Sequence, residues 1–221
     1  MERQRQLIIV RGGGDIATGT IHRLHRCGYP VLVLETGTPS AIRRQVAFSE
    51  AIYDGSSEIE GVTCLKVSSY DEAKAVWEAA AVPVMIDERC DILKRVRPWA
   101  LVDAILAKKN LGTTRDMADK TIGLGPGFTA GEDVDLVIET MRGHDLGRIL
   151  SKGCALPNTG VPGRIGGQRP GDPFTGTGDP VWNGSDRGPG GKGAADRHHC
   201  YRTGGGDGGG IADRSGKRAD P

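Results

Sequence analysis

The chain has 221 residues, enough for one or two domains. Its 29 Lys and Arg nearly balance its 28 Asp and Glu, which argues against nucleic acid or an anionic membrane as a partner. No apolar run approaches the roughly 20 residues that span a bilayer, and Met1 to Gln6 leads directly into a strand pattern without a leader, so a cytoplasmic protein is expected.

The first element is the short apolar run Leu7-Ile8-Ile9-Val10, which ends in Arg11 and three glycines, Gly12, Gly13 and Gly14. A helical pattern starts at once, with Ile16, Thr20, Ile21 and Leu24 on one face and Gly28 at its end. Gly12, Gly14 and Ala17 fit G-x-G-x-x-G/A, a strand, a tight turn and a helix. Glycines let backbone approach a ligand closely, and the N–H groups at a helix start suit an anion. A second apolar run, Val31 to Leu34, ends in Glu35, where a Rossmann unit carries the acid that bonds a ribose hydroxyl. Asp15 sits beside the place of a pyrophosphate and would repel it unless a metal ion or proton intervened. The alternative is a structural unit in which Asp15 caps the helix.

After the turn-forming stretch Thr36 to Ser40, Ala41 to Ile52 reads as a helix, with Ile42, Val46 and Ser49 on one face. Either of the adjacent Arg43 and Arg44 could reach the glycine turn and offer charge to an anion, or both could lie on a solvated face. Val62 to Val67 reads as a strand, Asp71 to Ala81 as a helix, and Val82 to Ile86 as a buried strand before Asp87. Ala100 to Leu106 is strand or helix. Strands alternating with helices indicate a Rossmann-like α/β domain, with a parallel sheet and flanking helices, over residues 1–150. Its ligand crevice lies beyond the carboxyl ends of the strands, where this reading puts Glu35, Asp87 and Asp103. A polar loop, Asn110 to Asp116, could line the same crevice. A second glycine-rich loop, Gly123-Leu124-Gly125-Pro126-Gly127, serves either ligand approach or a tight crossing. The candidate ligand-binding residues are therefore Gly12, Gly13, Gly14, Asp15, Ala17, Glu35, Gly125 and Gly127. The five cysteines form no C-x-x-C pair, and no metal site is expected.

These blocks together resemble one family. Val10 to Ala17, Ala41 to Arg44, Val46 to Ala51, Leu101 to Lys108 and Ile122 to Gly131 look like the signature blocks of the selenium-dependent molybdenum hydroxylase system protein family, the YqeB family. Asn158-Thr159-Gly160 with Pro162-Gly163 looks like its block after the α/β domain. The resemblance covers roughly residues 7–167. It implies an accessory factor in the maturation or cofactor handling of selenium-dependent molybdenum hydroxylases, relatives of xanthine dehydrogenase. The implied partners are the hydroxylase apoenzyme and other maturation factors. No catalytic residue carries over from the family.

Residues 151–167 read as the start of a second, β-rich module, which in relatives is similar to biotinyl or lipoyl carriers. The tail, residues 168–221, departs from that pattern. Of the chain's 35 glycines, 20 follow residue 150, and the only aliphatic residues larger than Ala in the tail are Val181 and Ile211. Such a segment cannot bury enough surface to offset the entropy of ordering. It reads as a disordered linker or as a GC-rich coding sequence translated out of frame, and His198-His199-Cys200 within it is not taken as a metal site. Three functions fit the whole: a maturation factor binding a nucleotide-type ligand, such as a dinucleotide or a pterin nucleotide; an NAD-dependent oxidoreductase, with His144 and the acids as the available proton-transfer groups; and a non-catalytic scaffold for the apo-hydroxylase.

Overall fold

A computed structural model describes residues 6–157 of the chain. The expectation of a disordered or out-of-frame tail, and most of the proposed second module, lie outside the described residues. The elements are β1 (Ile8–Arg11), α1 (Asp15–Arg26), β2 (Val31–Glu35), α2 (Ala51–Asp54), β3 (Ser56–Ile59), β4 (Val62–Val67), α3 (Tyr70–Glu78), β5 (Val82–Ile86), β6 (Ala100–Asp103), β7 (Lys120–Leu124), β8 (Thr129–Ala130), β9 (Leu136–Ile138), β10 (Ile149–Leu150) and β11 (Gly153–Cys154).

Nine strands form one sheet in the order β10-β9-β7-β6-β1-β2-β5-β4-β3. The seven inner strands are parallel, and β3 and β10 close the two edges in antiparallel pairing. This is the α/β architecture expected of strands alternating with helices. Successive residues of a strand point to opposite faces, so a sheet buried on both sides reads as a continuous apolar run. In β1, Ile8 and Val10 pack with Ala17, Ile21 and Phe48 on one face. Leu7 and Ile9 pack with Ala73, Ile92 and Ala118 on the other. Both faces are therefore covered.

The chain leaves β1 toward β2 and later crosses to β6 on the opposite side, so the strand order reverses between β1 and β6. Arg11 at the end of β1 is in register with Leu34 of β2 and Asp103 of β6. The carboxyl ends thus align at the switch point, where open parallel sheets hold their ligand crevice.

Several elements differ from the sequence reading. The helix expected over Ala41 to Ile52 is two single 3-10 turns, Arg44–Val46 and Phe48–Glu50, followed by α2. Ile42 and Val46 are exposed, not on a buried face. Ala47, Phe48 and Ser49 are buried, the Phe48 N–H is bonded to Thr18 Oγ1 and the Ser49 N–H to Gly13 O, and these core and turn contacts override the helical spacing. The buried stripe of α1 is Ala17, Thr18 and Ile21, and Ile16 is exposed at its start. Strand β3, a hairpin partner of β4 turned at Glu60 and Gly61, was not read from the sequence; both turn residues have positive φ. Ala100–Asp103 is a strand, which resolves the ambiguity there.

The sheet domain continues past residue 150. Strand β11 pairs with β8, Ala155 is buried with Phe128, Val134 and Val137, and the Leu156 N–H donates to buried Glu139 at 2.7 Å.

Candidate functional site at the sheet switch point

The glycine turn after β1 is fixed from two sides. The Gly12 N–H donates to Leu34 O at 2.8 Å. Gly12 has φ +94, and a Cβ there would stand 3.1 Å from Ala104 O. Gly13 O accepts from the Ser49 N–H at 2.8 Å and from the Thr18 hydroxyl at 3.1 Å. A Cβ on Gly13 would lie 3.0 Å from Ser49 N. Both glycines are therefore demanded by close backbone crossings within the fold.

Gly14 differs. It is the N-cap of α1 with φ −63 and ψ 177, a conformation open to any residue. No atom lies within 4 Å of where its Cβ would be. Among the described residues, no hydrogen bond takes up the N–H groups of Gly14 or Asp15. Ala17 is fully buried against the sheet, so it serves close helix–strand packing and not direct ligand contact.

Asp15 is the first residue of α1 and not its cap. Its Oδ1 accepts from the Ile16 N–H at 2.9 Å. Its Oδ2 accepts from Arg43 Nε at 2.6 Å and lies 2.5 Å from Arg43 Nη2. The neutralising charge sought for Asp15 is thus an arginine from the segment after β2. Arg44 turns away, bonds Glu50 through both Nε and Nη2, and lies over the Tyr53 ring. That bond holds the Glu50 carboxyl below its ordinary range.

Glu35 reaches the glycine turn. Its Oε1 accepts from the Gly13 N–H at 2.6 Å and its Oε2 from the Thr36 N–H at 2.8 Å. A carboxylate offers about four acceptor positions, so both oxygens keep capacity for a ligand hydroxyl. Asp87 lies next to it at the same end of the sheet, its N–H donating to Glu35 O at 3.0 Å, while its carboxylate accepts from the N–H groups of Asp91 and Ile92 at 2.8 and 2.9 Å in the 3-10 turn Asp91–Lys94.

Beneath the mouth lies a buried ion pair that sequence reasoning missed. Arg11 Nη1 is 3.2 Å from Asp103 Oδ2, with side chains 7% and 2% exposed. Thr113, fully buried, accepts from Arg11 and donates to Asp103 Oδ2 at 2.6 Å. Asn110 Oδ1 accepts from the N–H groups of Gly112 and Thr113 at 2.9 and 2.7 Å and so shapes the loop that delivers Thr113. The polar loop Asn110 to Asp116 therefore serves this network, while its Arg115 crosses to Asp135 at 2.7 Å. The one sequence signal for the network was an Arg immediately before the glycines and an Asp ending a later apolar run.

The second glycine loop packs against the segment after β6. Gly125 has φ +77, and a Cβ there would lie 2.5 Å from Thr140 Oγ1 and 3.2 Å from Leu106 Cδ2. Gly127 has φ +111, and its Cβ would stand 2.7 Å from the Lys109 backbone. Gly127 is thus accounted for by a tight crossing over the Lys109 backbone, and Gly125 by its positive φ and its contact with the Thr140 and Leu106 side chains. The segment 104–109 is gripped between Gly12 on one side and Gly125 and Gly127 on the other, and it carries two left-handed residues, Leu106 at φ 59 and Lys108 at φ 60. His144 is exposed in the connection between β9 and β10. No group of three or more His, Cys, Asp and Glu that could hold a metal ion occurs among the described residues. None of their helices is long and apolar enough to cross a membrane.

Comparison with curated proteins finds a relative. The chain is 52% identical over 162 residues to the uncharacterized protein YqeB of Escherichia coli strain K12. The matched stretch is a relative of YqeB. It makes up 73% of this chain and 30% of the length of that protein. The match supports the resemblance to the YqeB family drawn from the sequence blocks. No protein-family model matches the chain, and no solved structure matches it.

Proposed function

We propose that the crevice at the carboxyl end of the parallel sheet binds a nucleotide-type ligand, and that the protein is an accessory factor in the maturation or cofactor handling of selenium-dependent molybdenum hydroxylases. The second half of this proposal comes from the family resemblance, and its partner is the hydroxylase apoenzyme. The first half rests on Gly14. The fold explains Gly12 and Gly13 by contact, yet leaves the Cβ direction of Gly14 open and its N–H unbonded among the described residues. A ligand phosphate approaching the start of α1 would account for a glycine there, because the first N–H groups of a helix and its dipole favour negative charge. Glu35, anchored to the same turn, would receive a ribose hydroxyl.

The test is thermal shift of the purified protein with ATP, CTP, NAD and molybdopterin. A ligand at 100 times its dissociation constant stabilises by about 2.7 kcal/mol. Gly14→Val should keep stability to within about 1 kcal/mol, the cost of a poor N-cap, and should abolish the shift. A folded Gly14→Val protein that binds as tightly as wild type would remove the basis for the site.

A further inference from the structure

The segment 36–46, between β2 and the buried Ala47-Phe48-Ser49, is built differently from the elements it joins. None of its residues is buried, and Ile42 is fully exposed. Among the described residues, no backbone–backbone hydrogen bond involves positions 37–42. Its ends are firm. Glu35 holds the Gly13 and Thr36 N–H groups, and Thr18 Oγ1 accepts from the Phe48 N–H at 2.9 Å. Between those ends the ties run through exposed groups: the Gly37 N–H to Glu88 Oε1 at 3.3 Å, the Tyr53 hydroxyl to Pro39 O at 2.7 Å, Arg44 to Glu50, and Arg43 to Asp15. A stretch with no buried apolar contact and few backbone bonds opens at little cost. The Arg43 tie differs from the other three in reaching out to α1, beside Gly14.

We propose that residues 36–46 are a lid over the glycine turn, that the Arg43–Asp15 ion pair is its latch, and that an anionic group of the ligand replaces Asp15 as the partner of Arg43. The lid rests on the nucleotide-site reading above. Asp15 holds the position on Arg43 that the ligand's negative charge would take. Arg43 spends its Nε and Nη2 on one carboxylate oxygen, so its Nη1 edge is left to meet an incoming phosphate or carboxylate before Asp15 is released. Ile42 on the same segment would then lose water contact against the ligand.

Two measurements on the full chain test this. The first is hydrogen exchange of residues 37–46, with the Val46 amide, bonded to Arg43 O at 3.1 Å, as reporter. Arg43→Gln and Asp15→Asn should each speed exchange there several-fold and leave the Phe48 amide and the amides of α1 unchanged. Salt should do the same to wild type, because screening shortens from about 10 Å at 0.1 M to about 3 Å at 1 M; Arg43→Gln should respond less, through the remaining Arg44–Glu50 pair alone. The second is titration with ATP, CTP and NAD. Arg43→Gln should weaken binding about tenfold or more, as for loss of a charged hydrogen bond. Asp15→Asn should tighten it several-fold, since it frees Arg43 and removes a repelling charge. A merely structural ion pair would weaken both variants alike or neither. Binding by wild type with unchanged exchange in both variants, or with Asp15→Asn the weaker binder, overturns the lid alone. No binding of any of the three by wild type removes the nucleotide reading and the lid with it.

Discussion

The buried pair under the crevice gives the largest effect open to a single substitution. Asp103→Asn keeps the size of the side chain and one acceptor oxygen, but it removes the only countercharge that bonds Arg11 among the described residues. The Arg11 side chain is 7% exposed, so water cannot replace that charge. Breaking a buried pair from one side costs about 3–5 kcal/mol, a large share of the ~5–15 kcal/mol that holds a domain folded. At about 2–4 °C per kcal/mol for a chain of this size, the melting temperature should fall by roughly 6–20 °C. Urea unfolding followed by circular dichroism gives the free energy directly. The double variant Arg11→Met, Asp103→Asn should regain most of the loss. It removes the stranded charge; the amide oxygen introduced at position 103 can accept from the Ile105 N–H, where Oδ1 does now, and the amide NH2 in the place of Oδ2 can donate to the Thr113 hydroxyl. A loss below about 1 kcal/mol in Asp103→Asn would place the pair with solvated surface bridges. No recovery in the double variant would trace the loss to strand packing and refute the electrostatic account.

Two further outcomes are expected. Burial pushes the Cys64 thiol up to about 12, so a disulfide-exchange reagent at pH 8 should leave it unmodified in the native protein and label it on unfolding; rapid native labelling would contradict its place in the core. Glu139 is buried and accepts from the Met141 and Leu156 N–H groups, each at 2.7 Å. Glu139→Ala should cost about 1–3 kcal/mol through these unsatisfied donors and raise exchange at Leu156, and unchanged stability would mean that residues 151–157 contribute little to the sheet domain.

The parallel sheet was legible because its strands are buried on both faces and read as unbroken apolar runs, such as Val31 to Leu34 and Val82 to Ile86. The glycine turn was legible for the same reason: a strand that stops at three glycines and passes into a helix has few other solutions. Local spacing failed where tertiary ties decided the backbone. Ile42 and Val46 have helical spacing, yet the chain is drawn instead to bury Ala47, Phe48 and Ser49 and to bond the Phe48 and Ser49 N–H groups to Thr18 and Gly13. Strand β3 alternates exposed and half-buried positions at the sheet edge, so it lacks an apolar run altogether. Asp103 was placed at the crevice by its position after β6, but its partner could not be named, because Arg11 and Thr113 are 92 and 10 residues away in sequence.

The charges around the switch point are compensated inside the fold. Arg11 has Asp103, Asp15 has Arg43, and Glu35 has two backbone N–H groups. Among the described residues, the groups at the start of α1 without a hydrogen bond are backbone N–H groups, those of Gly14, Asp15 and the buried Ala17. Recognition in the proposed site would therefore begin on the main chain and proceed by exchange of one carboxylate for another anion at Arg43. The three glycines then carry separable duties. A side chain at 12 or 13 meets the backbone of Ala104 or Ser49 and disturbs the fold before any ligand is present. A side chain at 14 meets only the space the ligand would fill. The order of damage, stability first at 12 and 13 and affinity alone at 14, is the consequence that ties the glycine turn to the proposed ligand.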